Sequence, residues 1–204
     1  MFLLLLSDGL QTAPLLGCLP CLRGARAALI PNALASLKAR QAALPPTEDG
    51  LRALGVERVE TFDLERGRPK ALAGFDLLYF LGGNAFLLLK ILRERGYEEA
   101  LRRAAAQSLL VGVSGGALAL GGTLAHIQLL DPSMNRRYGL ENLDGLGLTA
   151  SSICPHRARF GQKYAHFEAR MDAFQKETGR RLYLLEDGEG LLCTEAGETW
   201  LRRG

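Results

Sequence analysis

Leu109-Leu110-Val111-Gly112-Val113-Ser114-Gly115-Gly116-Ala117 is the stretch whose reading decides the fold. Leu109–Val113 is short, continuous and apolar, and it is β-branched at two positions, which predicts a buried strand. Three residues with almost no side chain follow Ser114 and open a helix rich in Ala and Leu. A serine on a sharp strand-to-helix turn exposes its hydroxyl, and small neighbours let a substrate and a base come close. The helix start behind it adds unpaired N–H groups and the positive end of a dipole. That is what a nucleophile forming an oxyanion needs. The same residues also suit a glycine-rich turn that only packs tightly or holds a phosphate, so the stretch alone leaves both readings open.

Outward from this turn, the chain alternates strands and helices. Strands are predicted at Phe2–Leu6, Ala27–Ile30, Val56–Phe62, Phe75–Leu81 and Leu148–Cys154. Helices are predicted over Ala33–Ala43, stopped by Pro45-Pro46, then in a short segment capped by Thr47 and closed at Gly55. Further helices cover Phe86–Arg95, Tyr97–Ala106 and Phe160–Thr178. Leu182–Leu185 and Leu191–Thr194 read as two strands of a hairpin around Glu186–Gly190, and Thr199–Leu201 closes a last hairpin. Alternation of this kind predicts an α/β protein, a three-layer, doubly wound, mainly parallel sheet with a C-terminal β-hairpin, over one domain spanning 1–204. In such sheets, sites gather at the carboxyl ends of the strands. Gly82-Gly83, Ser114 and His156 all fall at predicted strand ends, which points to one shared site.

The totals exclude several classes of function. Lys plus Arg is 25 and Asp plus Glu is 22, and the basic clusters are short and scattered, so no nucleic-acid footprint is expected. Met1–Leu6 imitates a secretory signal, but no basic residue precedes the run and Ser7-Asp8 interrupts it. No stretch approaches the roughly 20 apolar residues of a membrane span. A cytoplasmic protein without membrane association is expected. Cys18-Leu19-Pro20-Cys21 has the spacing of a redox or metal pair, but only the distant Cys154 and His156 could complete a metal site. Small buried thiols on a helix face are the simpler expectation.

A serine nucleophile needs a base and a group to orient that base. Of three histidines, His126 lies in an irregular segment and His166 reads as solvated within a helix. His156 follows a strand through Pro155, which makes it the candidate base. For the acid, Asp131, Asp144, Glu186, Asp187 and Glu189 all stay open.

Leu78-Tyr79-Phe80-Leu81-Gly82-Gly83-Asn84-Ala85-Phe86, Gly112-Val113-Ser114-Gly115-Gly116-Ala117 and Cys154-Pro155-His156, in this order and spacing, resemble the peptidase E (aspartyl dipeptidase) family. That family is distantly related to cyanophycinase. The resemblance implies a fold like that of class I glutamine amidotransferases and a serine peptidase of short peptides that needs no metal or other cofactor. By position, Ser114 matches the nucleophile, His156 the base and Asp187 the acid, with Glu186 one residue away. Gly83 and Gly115 match the oxyanion donors, with Gly82 and Asn84 beside them. Three departures stand out: Gly115 replaces the usual alanine, Leu81 shortens the glycine run, and Cys154 replaces a common asparagine. The family's arginine for an N-terminal aspartate falls near Phe167 in an ungapped alignment. Arg170 matches a second arginine, and Arg157 or Arg159 could reach the site only from another direction. Preference for Asp-Xaa dipeptides is therefore expected to be weak. An α/β-hydrolase esterase is the alternative enzyme, because Gly112-x-Ser114-x-Gly116 fits its elbow. It would need Asp131 or Asp144 as acid. A non-catalytic binding protein on the same fold is the third reading, and a homodimer is left open.

Overall fold

The computed structural model describes residues 1–203. In chain order the elements are β1 (Phe2–Leu6), α1 (Ala13–Gly17), β2 (Arg26–Ile30), α2 (Leu37–Ala53), β3 (Arg58–Thr61), a 3-10 turn at Pro69–Gly74 and β4 (Leu77–Phe80). Then come α3 (Ala85–Glu94), α4 (Glu98–Ala104), β5 (Leu109–Val113), α5 (Gly115–Leu120), α6 (Ala125–Leu130), α7 (Ser133–Arg136) and β6 (Ser152–Cys154). The chain ends with α8 (Arg157–Lys163), α9 (Phe167–Thr178), β7 (Leu182–Leu184), β8 (Gly190–Thr194) and β9 (Gly197–Leu201).

Seven strands pair in the order β3-β2-β4-β5-β1-β8-β9. The first five run parallel, β8 is antiparallel to β1, and β9 is antiparallel to β8. Alternate side chains of each strand leave the sheet on opposite faces. Leu3, Leu5, Ile30, Phe80 and Leu110 pack on one face with Leu88 of α3, Leu101 of α4, Leu118 of α5 and Met171 of α9. Leu4, Leu6, Leu29, Tyr79, Val111 and Val113 pack on the other with Leu15 of α1 and Leu51 of α2. Burial on both faces explains why the central strands read as unbroken apolar runs. The Phe2–Leu6 run is β1, an interior strand between β5 and β8, buried from Leu3 onward. No helix among the described residues is long and apolar enough to cross a membrane.

Three expectations are corrected. Pro45 and Pro46 do not end a helix; they lie inside the continuous α2, whose N-cap is Ser36. Each proline removes an N–H from the helix ladder. The carbonyls left without a donor belong to Gln41 and Ala42, both exposed to water. Thr47 is not a cap there: its hydroxyl donates back to the Ala43 carbonyl at 2.8 Å. The predicted helix over Phe160–Thr178 is two helices, α8 and α9, broken where His166 takes φ 54°. Phe160, Tyr164, Phe167, Met171 and Phe174 keep helical spacing across the break, so periodicity hides it.

The third correction concerns Leu182–Thr194. β7 does not form a hairpin with β8; it pairs in parallel with β6 in a separate two-stranded sheet. The C-terminal hairpin is β8–β9, and β8 also pairs with β1. Glu186–Gly190 is therefore a crossing between two sheets, and it brings the Asp187 carboxylate to the end of β1.

Candidate active site

Ser114 leaves β5 in a conformation few side chains adopt, φ 47° and ψ −111°. Its backbone N–H donates to the Leu6 carbonyl at 2.8 Å, tying the turn to the end of β1. The glycines around it are dictated by contact. A Cβ at Gly112 would lie 2.7 Å from Ala117 Cα, and one at Gly116 would lie 2.6 Å from the Phe80 carbonyl oxygen. The tight-packing reading of this stretch is thus correct, and it is what allows α5 to fold back directly above β4 and β5 with Ser114 at the apex.

His156 follows β6 through buried Pro155 and takes the left-handed conformation, φ 56° and ψ 45°. Its backbone N–H donates to Ser7 Oγ at 2.9 Å. Its ring packs edge-on against Phe160, with centroids 6.2 Å apart, and the side chain is only 11% exposed. Nε2 lies 3.0 Å from Ser114 Oγ, and Nδ1 lies 2.5 Å from Asp187 Oδ1. A carboxylate only accepts, so Nδ1 carries a proton, and Nε2 is the ring nitrogen that faces the serine hydroxyl.

Asp187 sits on the crossing turn, and each neighbour there is anchored. Gly188 N–H donates to Asp8 Oδ1 at 2.8 Å, Gly188 O accepts from Thr12 Oγ1, and Glu189 O accepts from Ser7 N–H. Partial burial alone would raise the Asp187 carboxyl. Donors from Ser7 and His156, with the nearby charges of His156 and Arg159, outweigh it and hold the group below the ordinary carboxylate range. Glu186 points elsewhere: its Oε2 accepts from Ala158 N–H at 3.0 Å in the first turn of α8, with Arg157 3.9 Å from its other oxygen. Glu189 is buried and accepts from Glu186 N–H and Trp200 Nε1.

Gly82 and Gly83 follow β4 and lie against the serine turn. A Cβ on Gly82 would be 3.3 Å from Ser114 Cβ. Gly83 has φ 140°, and a Cβ there would strike the Ala33 carbonyl oxygen at 2.4 Å, so only glycine fits. Among the described residues, neither the Gly83 nor the Gly115 N–H finds an acceptor. Asn84 makes no such offer. Its Oδ1 accepts from Phe86 and Leu87 N–H, capping α3, and its Nδ2 donates to the Met134 carbonyl.

The remaining candidates lie apart. His126 is fully buried on α6, with Nε2–H donating to the Ile153 carbonyl and Nδ1 without a partner among the described residues. Asp131 accepts from Ser133, Lys163 and Tyr164, and Asp144 pairs with Arg180, so neither acid of the esterase arrangement meets His156. Phe167 is a core residue, 3% exposed. Arg170 donates to the Leu129 carbonyl, and Arg157 grips Glu168 through two nitrogens. Cys18 is half-buried just past α1 and Cys21 is exposed outside any helix, which corrects the expected buried pair; Cys154 and Cys193 are buried.

The residue that sequence reasoning missed is Ser7. Its hydroxyl donates to Asp187 Oδ1 at 2.9 Å while accepting from the His156 backbone. The available signal was a polar Ser-Asp pair ending a buried interior strand at its carboxyl end.

Comparison with known proteins adds a family model, two curated relatives and two solved structures. The family model "Peptidase family S51" matches residues 10–199. Uncharacterized peptidases of Listeria monocytogenes and Listeria innocua are 38% and 37% identical over 82 residues. The matched segment is 40% of this chain, and the chain spans only about two fifths of the length of those relatives. A crystal structure of a candidate peptidase E protein from Listeria monocytogenes EGD-e superposes with a TM-score of 0.76 at 26% identity, covering 100% of this chain and 98% of that one. A peptidase structure from an acI-B1 Actinobacterium shares the fold, with a TM-score of 0.70 at 15% identity over 100% of this chain and 88% of the other.

Proposed function

The chain belongs to peptidase family S51, and from that premise we propose that it is a serine peptidase of short peptides in which Ser114, His156 and Asp187 form the catalytic triad. The observation that carries this reading is one continuous hydrogen-bonded line, Ser114 Oγ to His156 Nε2 at 3.0 Å and His156 Nδ1 to Asp187 Oδ1 at 2.5 Å.

Ser114 Oγ attacks the substrate carbonyl while His156 Nε2 takes its proton, a transfer that contributes on the order of 10²–10⁴-fold in rate. Asp187 keeps the imidazole in the correct tautomer and stabilises the imidazolium. The free N–H groups of Gly83 and Gly115 receive the negative oxygen of the tetrahedral intermediate, and the start of α5 adds its dipole. His156 then gives the proton to the leaving amine, and a water repeats the sequence on the acyl-enzyme.

Gly82 shapes the wall beside Ser114, and Asn84 supports the loop rather than touching substrate. Glu186 is a helix-capping group in this reading, not the acid. The esterase arrangement is disfavoured because Asp131 and Asp144 are engaged elsewhere. An N-terminal aspartate finds no free arginine in the expected place, so the enzyme tolerates other, apolar N-terminal residues in cytoplasmic short peptides. The test is Ser114→Ala together with labelling by a fluorophosphonate. The variant is expected to stay folded, lose turnover and escape labelling; wild-type turnover would overturn the reading.

A further inference from the structure

We infer that Ser7 is a positioning residue of this site, whose hydroxyl fixes Asp187 and His156 against the end of β1. The inference rests on the triad proposed above. Ser7 is 0% exposed and closes β1, the strand held between β5 and β8. Its backbone is fixed by donation to Glu189 O at 3.1 Å.

The direction of each bond follows from chemistry. The His156 backbone N–H can only donate, so Ser7 Oγ accepts it at 2.9 Å. The carboxylate can only accept, so the single Ser7 proton goes to Asp187 Oδ1, also at 2.9 Å. That oxygen is the one receiving His156 Nδ1–H. Two donors converging on Oδ1 fix the rotation of a carboxylate whose side chain is 54% exposed. Without Ser7, the remaining side-chain partner of Asp187 among the described residues is the imidazole it must orient. Leu6 completes the arrangement by accepting from Ser114 N–H. Two consecutive residues at the end of β1, its last residue Leu6 and Ser7 just past it, therefore touch all three members of the triad.

A buried serine could simply satisfy its own hydroxyl. The two roles differ in what happens at the imidazole. Removing a donor from Oδ1 makes that oxygen more basic, which stabilises the imidazolium and moves the His156 titration to higher pH. The other charges on the elements that carry the pair are the Arg159 guanidinium near Asp187, Glu186 and Arg157 at the start of α8, and Asp8 under Gly188. None of them bonds to the Ser7 hydroxyl, so their effects stay constant in the comparison.

The experiment is Ser7→Ala, read three ways: urea midpoint, steady-state kinetics on a dipeptide panel, and NMR titration of His156 in substrate-free protein. The expected result is a folded variant with kcat lowered roughly 10–100-fold and KM within about twofold, its His156 titration shifted upward. Should Ser7→Ala fail to fold, Ser7→Cys keeps an atom against the His156 N–H but donates weakly, and carries the same expectations. A folded variant with wild-type kcat and an unmoved titration would overturn the inference. The titration also separates the two readings. Full activity in Ser114→Ala would defeat the triad, while the Ser7-dependent shift, measured without substrate, would still stand or fall alone.

Discussion

Gly115 and Gly83 are in backbone contact: a Cβ on Gly115 would lie 2.1 Å from the Gly83 carbonyl oxygen. The two turns that carry the free N–H groups therefore press on each other, and the obstacle is backbone, which cannot rotate away. The glycine after Ser114 and the loop after β4 form a matched pair. Gly115→Ala must push the Gly83 loop outward. It is expected to lower kcat by roughly 10²-fold, the scale of losing one oxyanion donor, with KM changing less. Steady-state kinetics check this; an unchanged kcat would mean that Gly83 N–H does not face the reacting oxygen.

The acid is tested by ranking three variants. Asp187→Asn removes the negative charge and offers an amide N–H that favours the wrong imidazole tautomer, and it is expected to lower kcat by up to roughly 10⁴. Glu186→Gln keeps an oxygen for Ala158 N–H and should cost less than about tenfold. Asp131→Asn, which disturbs only the Ser133, Lys163 and Tyr164 contacts, should also be mild. If Glu186→Gln is the most damaging of the three, the assignment of the acid is wrong.

His126 makes stability depend on pH. Burial in the apolar core pushes its imidazole down to about 4, against an ordinary value near 6.5, despite the bond to the Ile153 carbonyl. Between these values the unfolded chain takes up a proton that the folded chain refuses. Stability from this group is complete above pH 6.5 and falls as the pH drops toward 4, by about 3 kcal/mol in all. Urea unfolding at intervals from pH 7 to 4 should show this slope. His126→Phe, which keeps an aromatic ring against Phe174, should flatten it, and an identical slope in that variant would assign it to other groups.

Substrate preference turns on three arginines: Arg157 and Arg170 are held by Glu168 and the Leu129 carbonyl, while Arg159 lies over the Phe160 ring near Asp187. Across a panel of Xaa-Leu dipeptides, kcat/KM for Asp-Leu is expected within about tenfold of that for an apolar N-terminal residue. A site built for a charged partner would discriminate far more strongly, whereas an apolar pocket gives only about 10–200-fold per methylene. Arg170→Ala should leave the ratio unchanged, because that guanidinium donates to the Leu129 carbonyl. A strong preference for Asp that disappears in Arg170→Ala or Arg159→Ala would refute this placement of specificity.

Much of the site is local and could be read along the chain. Buried strands announce themselves as short apolar runs, and residues at their carboxyl ends meet whenever the strands lie parallel. Leu109–Val113 with Ser114, the Gly82-Gly83 turn and Pro155-His156 each carry that signal within a few residues. The mainly parallel sheet follows from the alternation of such runs with helices. The choice between Asp187 and Glu186 was not local. Adjacent carboxylates on one turn have the same sequence signature, and only the path of the crossing from β7 to β8 turns one toward His156 and the other toward α8.

Tertiary structure alone also decided the pairing of β7, the break at His166, the passage of α2 through Pro45 and Pro46, and the part played by Ser7. Strand partners are chosen by backbone hydrogen bonds between segments far apart in the chain, which no periodicity records. A helix tolerates proline where the freed carbonyls face water, and exposure is a property of the folded molecule. Ser7 ended an apolar run, which sequence could show; 149 residues separate it from the His156 N–H and 180 from the Asp187 carboxylate. Only folding closes distances of that kind, because the sheet that places β1 beside β5 and β8 is held by interactions spread over the whole chain.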